Sequence, residues 1–319
     1  MRWTVIAAVV TALLSIFGIS LVAAQSSLVL RGTVQGTGTV MATNGGLLAV
    51  ADGATVRLVD ISQPDEAMVI GDREFPDNVL GLVMGRDVVY VANSHEGFHL
   101  LDVSSPAVPV VRGASPTRGQ AVGVAVSGSY AFVADNSLGF DVVRAIGDVT
   151  RVGEYLADGF PRAIGAFDDL VFVADQPSGL IIVDVSVPTA PEPVGRLSLG
   201  ADMITRVIVP QHLVGEVSPS IVCVVSGLAG LQVVDVSAPN APVVTASIQT
   251  AGQPRGIVLS GDEVFVISDG TLEIFDLTEP SRPTRVVSQD VGAEAGAIAV
   301  NGELIFVSFD EEIVIFGRS

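Results

Sequence analysis

The sequence predicts an all-β fold, a seven-bladed β-propeller of four-stranded antiparallel blades, and three observations lead there. A short apolar strand ending in aspartate recurs at nearly constant spacing. A Ser/Thr-x-Pro link follows each clear copy. The first and last strands of the array complement each other, one end supplying the strand the other lacks.

The recurring strand is clearest as Leu180-Ile181-Ile182-Val183-Asp184 and Leu231-Gln232-Val233-Val234-Asp235. Its terminal position falls at Asp60, Asp102, Arg144, Asp184, Asp235, Asp276 and Gly317, with intervals of 40 to 42 residues and one of 51. A period of about 40–45 residues is that of a four-stranded propeller blade. Within each period the strands follow from residue type. A small-residue strand such as 121–126 comes first, because the strands lining a propeller axis are crowded. A tight turn (Ser127-Gly128) leads to a β-branched and aromatic strand ending in Val-Ala-Asp at 133–135. The Leu-x-Val-Val-Asp strand follows, and the proline link ends it, since proline cannot continue a central ladder. A fourth strand such as 194–199 completes the unit. No segment after residue 24 shows sustained helical periodicity.

The ends give the blade count. The last repeat supplies strands at 297–300, 304–307 and 313–316 and lacks an outer one. Residues 28–32 provide it, so blade 7 is split between 27–33 and 294–317, and 25–319 reads as one domain. Pairing the two termini closes the ring and protects the sheet edges. The interval of 51 places an insertion at 210–219, between the first two strands of blade 5.

Residues 1–24 read as a secretory signal peptide: Arg2, an apolar stretch, then Val22-Ala23-Ala24 before the polar Gln25-Ser26-Ser27. The alternative is an uncleaved anchor, since the apolar stretch nearly reaches the roughly 20 residues that span a bilayer. Cleavage leaves no membrane span and an exported protein (secreted, periplasmic or at the cell surface). The formal charge of −19 argues against nucleic acid and anionic membrane surfaces as partners. All 16 positive residues are arginine. The single cysteine, Cys223, has no internal disulfide partner and lies in an apolar run.

The Leu-x-Val-Val-Asp words, with their downstream Ser-x-Pro-x-x-Pro and upstream Val-Ala-Asp, resemble LVIVD repeats, found in exported bacterial and archaeal proteins. The resemblance covers essentially all of the chain after residue 24. It implies a propeller at or beyond the cell surface and implies no reaction. Arg144 in blade 3 and Phe316-Gly317 in blade 7 depart from the pattern.

Few residues offer chemistry. The three histidines, His95, His99 and His212, show no zinc spacing. There is no nucleophile elbow, calcium loop or phosphate loop. The only tryptophan is Trp3, and there are three tyrosines, so few aromatic platforms remain for sugars or bases. No catalytic residue is assigned, and no metal or cofactor is expected. Two polar ladders remain. Asp60, Asp102, Asp184, Asp235 and Asp276 each precede a turn whose backbone N–H groups a carboxylate can accept. Arg162, Arg206 and Arg255 stand at matching starts of inner strands, on the face that carries Asp52, Asn93, Asp135, Asp175, Ser226 and Ser268. The arginines pair with these carboxylates between blades, or they form a site for a small acidic ligand with Asp135 and Asp175 nearby. The expected function is a monomeric, non-enzymatic module binding that ligand or a protein partner. A hydrolase or lyase at the channel mouth and a structural cell-surface component are the alternatives. Mass spectrometry of the exported protein tests the leader: the expected N-terminus is Gln25, and one still at Met1 would overturn it.

Overall fold

The computed structural model describes residues 28–199, 204–208, 221–227 and 229–318, with the backbone alone at 204–208. The signal segment 1–24 and the insertion 210–219 lie outside the described residues. Seven four-stranded antiparallel sheets make up the molecule. Blades 1 to 6 span 40–74, 81–115, 121–156, 160–197, 204–248 and 254–290, each running in chain order from inner to outer strand. Blade 7 takes Ile298–Asn301, Leu304–Ser308 and Glu312–Arg318 from the end of the chain and Leu28–Gln35 from its beginning. This is the expected ring closure, with a longer outer strand than 28–32. Among the described residues no helix is long and apolar enough to cross a membrane.

The core lies between blades, not within them. Side chains alternate across a strand, so each strand feeds two interfaces. Along Tyr130–Asp135, Ala131 and Val133 pack toward blade 2 with Phe98 and Leu100. Phe132 and Ala134 pack toward blade 4 with Ile164 and Ile181. Seven such apolar layers alternate with the seven sheets around the ring. Both faces of a blade are therefore buried, which is why its middle strands read as unbroken apolar runs. Phe98, Phe132, Phe140, Phe172, Phe265, Phe275 and Phe306 are among the largest fully buried side chains, each worth roughly 1.5–3 kcal/mol of transfer free energy. Cys223 is wholly buried among valines, and desolvation pushes its thiol up to about 12, so it behaves as a small apolar residue.

Two irregularities recur. In every outer strand one extra residue interrupts the register: Ile70, Arg112, Val152, Val194, Thr245 and Val286 in blades 1 to 6. Arg31 is its equivalent in the N-terminal strand. Such a bulge bends and twists a strand locally. The residue after the bulge is glycine in five of these strands. A Cβ on Gly32, Gly71, Gly153 or Gly195 would overlap the carbonyl oxygen of Pro64, Pro106, Pro188 or Pro239, in the proline link of the following blade. The link therefore joins the third and fourth strands of its own blade and seats against the outer strand of the preceding one. At Gly113 the facing residue is Val149, because blade 3 lacks the proline.

Closure carries much of the stability. Ile313 and Ile315 are buried in the layer between blades 7 and 1, and Arg318 forms a two-pronged ion pair with Glu263 of blade 6, one N···O distance being 2.9 Å. Deleting residues 311–319 removes these contacts and the partner of the N-terminal strand. The expected outcome in a thermal melt is a loss of more than about 10 °C, or aggregation; an unchanged transition would contradict the closure.

Candidate functional site

The second strands end, and the inner strands begin, on one face of the ring, here the mouth face. A polar residue stands at, or within one residue of, the end of each second strand: Asp52, Asn93, Asp135, Asp175, Ser226, Ser268 and Ser308. All but Asp52 are buried. Their partners are neighbouring turns. Ser137 donates its backbone N–H to Asp135 at 3.2 Å, Ala229 to Ser226 at 3.3 Å and Ala297 to Ser308 at 2.8 Å. Arg57 donates to Asp52 at 2.7 Å. Gly119 and Gly159 lie directly over the carboxylates of Asp135 and Asp175, with no room for a Cβ. Burial raises the Asp175 pKa, against a lowering hydrogen bond from Ser178. Asp135 thus holds the turn at Ser137, and both Asp135 and Asp175 lie buried beneath the mouth and present no face to solvent.

The three arginines do not share one register. Arg162 and Arg255 are the unpaired residues of bulges in the inner strands of blades 4 and 6. In blade 5 the unpaired residue is Thr205, and Arg206 pairs with Val225, the place held by Ala163 and Gly256 in the neighbouring blades. The expected match of all three positions is therefore corrected by one residue at Arg206. Arg162 is exposed at its bulge. Arg255 lines a cavity of about 600 Å³ at the mouth, where blades 6, 7 and 1 meet. Its walls carry Thr37, Thr39, Glu294, Ser308 and Asp310 as polar groups and Met41, Ile257, Ile298 and Phe309 as apolar ones. Arg255 is held only loosely, with its Nε 3.7 Å from Asp269 and both side chains more than half exposed (56% and 52%). Such a pair contributes little to stability, so the guanidinium is available. Among the described residues no group of three or more His, Cys, Asp or Glu side chains is placed to hold a metal ion.

On the opposite face the aspartate ladder holds turns, as read from the sequence. Asp60, Asp102, Asp184, Asp235 and Asp276 accept the backbone N–H of Ser62, Ser104, Ser186, Ser237 and Thr278 at 2.8 to 2.9 Å. The hydrogen bonds from Ser62, Ser104 and Ser237 lower the pKa values of Asp60, Asp102 and Asp235.

A third ladder was not read from the sequence. The second residue of the Leu-x-Val-Val-Asp strand is polar in several blades and points into the layer between them: Arg57, His99, Asp141, Gln232 and Glu273. Asp141 is fully buried between Arg118 at 3.3 Å and Arg151 at 3.2 Å, which also reach Glu154. Glu273 pairs with Arg285 at 2.9 Å and accepts the Ala251 N–H at 2.8 Å. His99 sits edge-on to Phe75 at 5.4 Å, and burial lowers its pKa. The signal was one polar letter among the four residues that precede the terminal aspartate or arginine of the word.

The model for the LVIVD repeat matches residues 86–117, 118–144, 162–198, 217–250 and 251–291, more than half of the chain. This protein belongs to the LVIVD repeat family. The matched LVIVD segments fall on blades 2 to 6, and the one in blade 3 stops at Arg144, where the aspartate is lost. Among solved structures, the β-propeller domain of Myceliophteria thermophila Cps50 (Swd1) is similar to this LVIVD chain with a TM-score of 0.73 at 16% identity, over 92% of this chain and 100% of that one. The computationally designed Ika8 protein is similar with a TM-score of 0.67 at 10% identity, over the same shares. At these identities the likeness is one of fold alone. No functionally curated protein matches the sequence significantly.

The buried ion cluster of this LVIVD protein has a pH signature. Burial raises the Asp141 pKa although Arg118 and Arg151 pull it down. A carboxyl raised in the folded state binds more protons there than when unfolded, so its contribution to stability falls as pH rises through the window above the ordinary carboxylate value. Asp141→Asn removes that titration. Its melting temperature relative to wild type should improve between about pH 4 and about pH 7; parallel curves, or a relative decline, would contradict the assignment.

Proposed function

We propose that the chain is an exported, non-enzymatic binding propeller, acting as a monomer, with its site at the channel mouth where blades 6, 7 and 1 meet. The observation that carries this reading is the cavity of about 600 Å³ beside the loosely held Arg255. Its volume falls in the range of small-molecule sites, about 300–1,000 Å³. The leader pattern of residues 1–24 supports export. The net charge of −19 disfavours nucleic acid.

The ligand proposed is a small acidic one. A carboxylate suits the planar fork of Arg255, which can donate two N–H groups to its oxygens. Glu294 and Asp310 share the wall, so a purely anionic ligand would meet like charge. The best fit carries N–H or ammonium donors as well, as an amino acid or a peptide C-terminus does. Arg162, exposed on blade 4, adds a positive group on the same face for a larger partner such as an acidic protein loop; Arg206 is assigned to the mouth by sequence alone. Asp135 and Asp175 lie buried below the mouth, where Asp135 fixes the turn at Ser137.

A thermal-shift screen of the mature protein with amino acids, dipeptides and dicarboxylates tests this. A bound ligand should raise the melting temperature by about 4 °C or more at saturation, and Arg255→Ala should abolish the rise without lowering the basal melt. A rise that survives in Arg255→Ala would remove the site from the mouth. A response to dicarboxylates alone would remove the requirement for donors.

A further inference from the structure

The face opposite the mouth holds a second concavity. A groove of about 760 Å³ lies between blades 3 and 4, with Tyr130, Phe132, Phe167, Asp168, Asp169 and Pro188 in its lining. It is formed where the inner turn of blade 3, the inner turn of blade 4 and the proline link of blade 4 converge. Val185 donates its backbone N–H to the Asp169 carbonyl at 2.8 Å, fixing the link against the turn. Tyr130 and Phe167 are half-buried and show part of their rings to the groove, while Phe132 closes the floor. The lining contains no basic residue, and both aspartates are exposed.

Asp168 stands where the repeat uses glycine. The corresponding turn glycines Gly45, Gly128, Gly261 and Gly302 have φ between 56° and 59°, and Asp168 has φ 46°. A side chain in this left-handed region is strained relative to a right-handed one, though aspartate tolerates it better than most. Blade 4 thus carries a carboxylate on the rim of the groove at a position where four other blades have glycine.

We propose that this groove binds an alkyl chain ending in a cation, a guanidinium or an ammonium group. The stem lies between Tyr130, Phe167, Leu170 and Pro188, whose surfaces are apolar. The charged end meets Asp168 and Asp169 and gains further from the ring faces of Tyr130 and Phe167. The net charge of −19 concentrates cations near the surface. The groove is on the other face from Arg255 and takes the opposite charge, so it stands apart from the mouth site.

Calorimetric titration tests it with agmatine as a free cation, the peptide acetyl-Ala-Arg-Ala-amide as a presented side chain, and hexanoate as an anion of similar length. Agmatine or the peptide binds and hexanoate does not. Tighter binding of the peptide identifies the occupant as a partner's side chain, and tighter binding of agmatine identifies it as a small amine. Asp168→Asn with Asp169→Asn weakens cation binding about tenfold, and Arg255→Ala leaves it unchanged. Asparagine also tolerates the left-handed turn, so the fold is retained; should the double variant fail to fold, Asp169→Asn alone and the charge selectivity of the wild type decide. Hexanoate binding as well as agmatine, no binding of either cation, or wild-type affinity in the aspartate variants would overturn the proposal.

Discussion

Each sheet in this molecule has two apolar faces, and only another sheet can cover either one. That constraint sets the architecture. A single blade would leave both faces in water, and an open row would leave two. Wrapping the row into a ring leaves none, and the seven apolar layers between blades are the result. The small inner strands and the outer-strand bulges serve the same end, since wedge-shaped units must be narrow at the axis and turned at the rim. The proline links add position to this packing: the carbonyls of Pro64, Pro106, Pro188 and Pro239 settle into gaps that only glycine leaves.

Polar groups in such a ring have three places to go, and their chemistry differs accordingly. At the ends of third strands, carboxylates are close to water and hold turns. At the ends of second strands, they are buried under glycine loops. Between blades they require compensation, and Asp141 and Glu273 each have arginine beside them. A buried charge without a partner would be strongly unfavourable, so these arginines are committed to structure. What is left for recognition is the smaller set facing open space, with Arg255 on one face and Asp168 and Asp169 on the other.

The fold was legible because its signals repeat. Five aspartate–proline words, from Asp60 to Asp276, recur on a period of 40 to 42 residues with one interval of 51 and report a backbone geometry that repeats, and the missing outer strand at the end matched the spare strand at the start. The length of that first strand was underestimated for a local reason. The bulge at Arg31 reverses the in–out alternation, so Thr33, Val34 and Gln35 fall out of phase with Leu28, Val29 and Leu30. The same effect misplaced Arg206: moving the bulge to Thr205 shifts its partner by one residue, which spacing alone cannot reveal. Asp135 and Asp175 spell the same Val-Ala-Asp corner as the more accessible Asp52, and depth beneath a loop leaves no trace in the letters. The ladder through Asp141 was passed over because isolated polar residues in an apolar strand look like ordinary variation, and their arginine partners lie on other strands and loops.

The strand Leu28–Gln35 precedes every blade in the chain yet pairs only with the last one. Growing from that end, the polypeptide makes its fastener first and the eyelet for it last. Until Glu312–Arg318 is available the structure is an arc with greasy ends and an unmatched ribbon, vulnerable to joining a neighbouring copy in place of itself. Folding only once both ends are present would spare the chain that hazard.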